Sequence, residues 1–143
     1  MKASEARPKR QFIVRFEKGE EIVSAIERFA REKNIGFASI SLIGAAENIT
    51  LGYLQVKPEN VVIKHSFTGS HEFLGIGNLS MKEGKHSAHL HAFIGTKEKD
   101  LHGGHLVSAQ VSVTIEGIVQ EVDKTVGRKI DPSVNYPVLD LGG

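Results

Sequence analysis

The hydrophobic positions of this chain repeat at two different periods. Near the N-terminus Phe12, Val14 and Phe16 alternate with Ile13 and Arg15, which predicts a strand over residues 11–17, ended by Gly19. The period then changes. Ile22, Ile26 and Phe29 fall on one stripe with Val23 and Ala30 beside it, so 20–34 reads as an amphipathic helix. Glu20 and Glu21 stand at its positive end, Arg31 and Lys33 at its negative end, and Asn34 and Gly36 are suited to stop it.

From residue 37 onward the pattern is that of strands. They are expected over 37–43, 48–56, 61–67, 72–81, 86–95, 106–115 and 118–124, with turns at 58–60 and at Glu83-Gly84-Lys85. Short links between successive strands favour antiparallel pairing. The tail, 127–143, carries Pro132 and Pro137 and reads as an irregular surface segment or a short edge strand. The expected fold is α+β: a curved, mostly antiparallel sheet of about seven strands, sandwich- or barrel-like, with one main helix packed on it.

Length and composition narrow the class. At 143 residues, 40% apolar and 24% charged, the chain suits one folded domain with its own core. Residues 1–10 form a polar, basic arm (Lys2, Arg7, Lys9, Arg10), and 11–143 form the domain. The absence of cysteine removes disulfides, thiolate metal sites and cysteine nucleophiles, and leans toward a cytoplasmic setting. The arm has no apolar stretch of a signal peptide, and no run approaches the ~18 residues of a membrane span, so no membrane partner is expected. A net charge of +1 gives no general drive toward nucleic acid, although the arm could touch it.

Histidine is where the chemistry concentrates. Five of the seven histidines lie between His86 and His105. On a strand, His89 and His91 share one face about 6.6–7 Å apart, while Leu90, Ala92 and Ile94 take the other. Residues 96–101 read as a loop, and Gly103-Gly104 as a tight return or bulge before His105 opens the next strand. Pairing of the two strands would bring His105 to the other two. Three imidazoles suit zinc and leave a fourth position open, the arrangement of catalytic rather than structural zinc. Histidine-only sites also take nickel, copper or cobalt. The competing reading is a polar crevice whose histidines hydrogen-bond to backbone. His86 and His102 sit near turns, and His65 and His71 are isolated surface or packing residues.

Several segments together resemble a known family. RFEKGEEI (15–22), SLIGAAENITLGY (41–53), HEFLGIGNLS (71–80), HLHAFIG (89–95) and GGHL (103–106) are similar to the plant and prokaryote conserved (PPC) domain, stand-alone prokaryotic type, over residues 11–123. The resemblance implies a small α+β domain, a homotrimer, and Zn2+ on His89, His91 and His105. It also implies DNA association, since plant relatives join this domain to AT-hook segments. Here Arg7-Pro8-Lys9-Arg10 lacks the R-G-R-P core of a hook. The fold further resembles acetolactate decarboxylase, which implies the alternative of a zinc lyase or hydrolase acting on a small oxo-acid bound at the metal. For such an enzyme Glu116 and then Glu72 are the candidate general acids or bases, and Arg15 the candidate for a substrate carboxylate. Simple alternation puts Glu116 on the opposite face from His105 unless a bulge intervenes.

Overall fold

The structure, a computed structural model, describes residues 1–55 and 60–142. The chain runs β1 (Pro8–Phe16), α1 (Ile22–Lys33), β2 (Ala38–Gln55), β3 (Val61–Phe67), β4 (His71–Lys82), β5 (Lys85–Gly95), β6 (Leu101–Val122), β7 (Gly127–Asp131) and β8 (Tyr136–Asp140). The expected α+β architecture is present, with eight strands on one curved sheet and a single main helix. No helix of the described residues is long and apolar enough to cross a membrane.

Two long strands replace four expected ones. The strands expected over 37–43 and 48–56 are joined in β2, and those over 106–115 and 118–124 in β6, which starts at Leu101. The sequence reading placed breaks at 44–47 and 116–117, where the backbone bends instead of turning. Gly44 has φ +148°, and an added Cβ there would sit 2.2 Å from the Thr114 carbonyl oxygen. Between Gly44 and Ala46 the register of β2 against β6 shifts, with Ile115 and Val111 as successive partners. The two extra β6 residues form a bulge, and the alternation of inward and outward side chains resumes in step beyond it. The turn expected at 58–60 lies outside the described residues except for Asn60, whose Nδ2 donates to the carbonyls of Val134 and Asn135.

The long strands let the sheet close. β2 pairs with β4, β4 with β5, β5 with the start of β6, and the rest of β6 returns to β2, all antiparallel. β3 extends β2, and β1 extends the far end of β6. The helix packs inside this curve, burying Ile22, Ala25, Ile26 and Ala30 with Leu90, Ala92, Ile94, Val111 and Ile115 of the inner sheet face. Glu21 caps it, accepting from the amides of Val23 and Ser24, and Asn34 ends it in a left-handed conformation. These contacts fix β5 from its inner side, so the outer side chains of β5 are held in a defined row.

The arm and the tail are both more ordered than their sequences suggest. β1 begins at Pro8, so Lys9 and Arg10 belong to a strand. Both pair with Glu121, a carboxylate only 1% exposed: Lys9 Nζ at 3.1 Å, and Arg10 through Nε. The hydrogen bond from Arg10 is the main cause holding the Glu121 carboxyl below its ordinary value. The tail is a hairpin, β7–β8, joined parallel to β4 at Met81 and Gly127.

Candidate metal centre

β5 and β6 build the histidine cluster. His91 and His105 are direct cross-strand partners, and His89 lies two residues along the same outer face. Ring centroids are 5.4 Å apart for His89–His91, 5.0 Å for His89–His105 and 5.8 Å for His91–His105. One nitrogen of each ring can be chosen so that all three lie within 4.8 Å of one another. Tetrahedral zinc with bonds of about 2.0–2.1 Å requires donors nearer about 3.4 Å, a gap that small side-chain rotations close.

Gly103 and Gly104 serve this site differently from the tight return or bulge expected of them. Both are strand residues of β6, running between β5 and β2. A Cβ on Gly104 would lie 2.8 Å from the Gly52 carbonyl oxygen, and one on Gly103 would lie 2.7 Å from the Phe93 ring. Their missing side chains let β6 pass close enough to set His105 opposite His91.

The environment favours the neutral imidazole at His89 and at His105. Burial, followed by the nearby positive charge of Arg128, lowers His89 to about 4. His105 is also lowered, first by burial and then by repulsion with His91 and Arg128. The His105 Nδ1 atom is buried and has no hydrogen-bond partner. An orphaned ring nitrogen in a three-imidazole cluster is the condition a metal ion relieves, so these residues fit zinc.

The pH dependence has a definite sign. The folded-state value of His89 lies below its unfolded value of about 6.5. Its contribution to stability is therefore complete above that value and is lost as pH falls toward 4. Chelator-treated protein should melt progressively lower as pH drops below 6.5. His89→Gln should flatten the part of that slope between about pH 5 and 6.5, above the range of ordinary carboxylates. Parallel melting curves for the two proteins would contradict this.

The other candidates lie elsewhere. A second register shift, where Leu106 and Ser108 are successive β6 partners of Leu51 and Thr50, reverses the alternation, so Glu116 lies on the outer face, exposed opposite Ile43. Yet β2 and β4 separate it from β5, about 14 Å along the sheet. Glu72 pairs with Gly95, four residues along β4 from the partner of His91, or about 13 Å. The two glutamates line a different concavity, with Ile43, Leu74, Phe93 and Leu101. Arg15 lies opposite Glu116, and its Nη2 pairs with Glu17 Oε1 at 2.6 Å. The structure thus brings together the three histidines, and sets the residues expected as acid, base and carboxylate binder away from them.

The sequence reading missed Arg128. The β7–β8 hairpin carries it to the cluster, where Nη2 stands 3.2 Å from His89 Nδ1 and 2.8 Å from Asn78 Oδ1. Its Nε donates to the buried Ser80 hydroxyl at 2.9 Å. The cleft there has a volume of about 160 Å³ and is lined by Lys82, Ser87, His89, His105, Arg128 and Tyr136 among others. The signal available in the sequence was Asp-Pro-Ser-Val-Asn (131–135), a turn between two short segments. Asp131 Oδ1 indeed accepts from the Ser133 amide and hydroxyl.

Comparison with known proteins places this arrangement. A metal-containing protein from Archaeoglobus fulgidus is 31% identical, with a TM-score of 0.89 over 96% of this chain and 98% of its own. A plant- and prokaryote-conserved protein from Pyrococcus horikoshii is 29% identical, with a TM-score of 0.87 over 96% of both chains. A candidate DNA-binding protein from Bacteroides thetaiotaomicron is 27% identical, with a TM-score of 0.86 over 95% of this chain and 97% of its own. Acetolactate decarboxylase from Bacillus subtilis, at 17% identity and a TM-score of 0.54 over 81% of this chain and 54% of its own, shares the fold alone. None of the curated proteins compared with the chain matches it. The profile of the Plants and Prokaryotes Conserved (PCC) domain matches residues 3–123, and the chain, with its closed sheet and its histidine-bearing strands, belongs to that family.

Proposed function

We propose that the chain is a homotrimeric metal-binding domain that holds one zinc ion on His89, His91 and His105. The observation that carries this is the convergence of three imidazole nitrogens to within 4.8 Å, on two strands whose inner faces are locked into the core. The metal-containing relative from Archaeoglobus fulgidus supports it. Zinc bound by three neutral imidazoles keeps a coordination position for water or a ligand, and supplies Lewis acidity there. The chain's own part is to hold the three imidazoles together on one face, with His89 and His105 lining the cleft that Arg128 shares.

Trimer assembly is supported by the outer sheet face. Ile43, Leu74 and Phe93 are lateral neighbours on β2, β4 and β5, with Leu101 beside them. Ile43 is 60%, Phe93 50% and Leu101 78% exposed, an apolar concentration that in soluble chains marks an interface. Further copies of the chain are the occupants we assign to this face.

Two other readings have specific support. DNA association draws on the relative from Bacteroides thetaiotaomicron and on the basic arm. Within that arm Lys9 and Arg10 are engaged by Glu121, which leaves Lys2 and Arg7 as its remaining cations. A zinc lyase or hydrolase draws on the open metal position. Its expected acid–base residues line another concavity, so the catalytic group would have to come from the cleft itself or from another subunit.

Zinc titration combined with sedimentation tests the proposal. The expected result is one zinc per chain and a particle of three chains, with Phe93→Glu reducing the particle mass while zinc uptake persists. A monomer at all concentrations would remove the assembly, and no zinc uptake would remove the metal.

A further inference from the structure

We propose that Arg128 is the anion-binding residue of the metal centre, and that the cleft takes a small carboxylate or oxoanion shared between the metal and this guanidinium. The inference rests on the metal reading above and adds the class of ligand.

Charge is the first argument. The Arg128 guanidinium is half-buried and contacts only neutral groups: Ser80 Oγ, Asn78 Oδ1, the Pro137 carbonyl and His89 Nδ1. Among the described residues it forms no ion pair. Among the described residues Lys82 lines the same cleft, and no carboxylate does. Glu27, whose Oε1 accepts from the Ala88 amide, is not among the lining residues. A divalent ion on three neutral imidazoles leaves its full charge uncompensated beside these cations. A partly desolvated site of this kind is balanced by an anionic ligand.

Lone-pair counting is the second. A neutral imidazole has one acceptor nitrogen, and Arg128 donates to that of His89. Ligation through Nδ1 takes this lone pair directly. Ligation through Nε2 moves the ring proton to Nδ1, which then faces a donor. By either route metal binding at His89 would release one N–H of Arg128 beside the histidine cluster. Ser80 and Asn78 keep the rest of the guanidinium in place. Arginine is thereby freed to meet an oxygen of whatever binds the metal, and its planar fork matches a carboxylate or oxoanion.

Size is the third. A cleft of about 160 Å³ admits a ligand of a few heavy atoms.

The test uses full-length protein loaded with cobalt(II), whose visible absorption reports on ligands at the open position. Pyruvate and inorganic phosphate are titrated into wild type and Arg128→Met, with metal content measured on each sample. Wild type should show a saturable spectral change with at least one of the two anions. In R128M that affinity should fall at least about tenfold, the loss of one hydrogen bond to a charged group. Its cobalt affinity should be unchanged or higher, because a neighbouring positive charge is gone. A residue that merely supported His89 would weaken both. Arg128→Lys should recover part of the anion affinity, and Lys82→Ala should weaken anion binding even if R128M folds poorly.

Equal anion affinity in wild type and R128M overturns the proposal, as does a metal-loaded wild type that responds to neither anion. A spectral change produced by duplex DNA at far lower concentration than either anion also overturns it, in favour of a nucleic-acid phosphate. Failure of wild type to hold cobalt is read from the metal content and removes the metal reading itself, taking this proposal with it.

Discussion

His105→Ala should leave a folded protein that no longer retains metal. His105 is the cross-strand partner of His91, and its ring centroid is 5.0 Å from that of His89. Removing it leaves two imidazoles on one strand, a chelate without the third point that fixes the ion. Loss of an outer-shell partner at a metal site costs about 10–100-fold in affinity, and loss of a direct ligand should exceed that. The fold should persist, because the His105 side chain points to the outer face while Leu106, Ala109 and Val111 remain in the core. A zinc competition assay with a chromophoric chelator reads the affinity. A melting experiment reads the consequence. Metal at 1,000 times its dissociation constant stabilises wild type by about 4 kcal/mol, on the order of 10 °C for a chain of this size. The variant should show no such gain, and a variant that kept wild-type affinity would exclude His105 as a ligand.

Gly77→Val should be strongly damaging to folding. Gly77 faces Leu90 across β4 and β5, and a Cβ there would sit 2.0 Å from the His89 carbonyl oxygen and 2.8 Å from Leu90 Cα. Both obstacles are backbone atoms, so relief requires β5 to move. Overpacking of a core costs typically 1–3 kcal/mol, and a clash with a central strand belongs at or beyond the top of that range. The displaced strand carries His89 and His91, so metal uptake should fall with stability. Gly95→Ala is the control. Its Cβ would meet only the Glu72 side chain at 3.4 Å, and it should be nearly neutral. Denaturant titration of both variants decides the matter. Equal stability would show that the strands are not packed as closely as described.

The contrast between these glycines explains what the sequence could reveal. The alternation of His89 and His91 with Leu90, Ala92 and Ile94 is a local pattern, and it correctly placed two imidazoles on one face and three apolar side chains in the core. The stripe of Ile22, Ile26 and Phe29, with Val23 and Ala30 beside it, was equally local, and the helix lies where it was expected. Gly44, Gly104 and Gly117 were read as breaks because glycine has the same letter in a turn and at a crossing. At Gly117 an added Cβ would meet the Ser41 carbonyl oxygen at 2.0 Å, a contact between residues far apart in sequence. Nothing near Gly117 in the chain announces it.

The candidate site followed the same division. The three histidines were legible from spacing together with the family resemblance. Glu116 and Glu72 were chosen for their chemistry, but the two strands between Glu116 and β5 depend on how the sheet closes. Arg128 was invisible because its meaning comes from the parallel bridge of β7 to β4 at Met81, which seats the tail hairpin over the histidines. An arginine beside a glycine in a tail of mixed polarity carries no such information by itself.

Metal content and coordination of the untagged wild-type protein test the central claim most directly. Elemental analysis with X-ray absorption should find close to one zinc per chain, bound by about three imidazole nitrogens at about 2.0–2.1 Å with a lighter ligand completing the shell. Protein that contains no metal and takes up none when zinc is added would contradict the account. His89, His91 and His105 would then be a polar cluster of the sheet and nothing more.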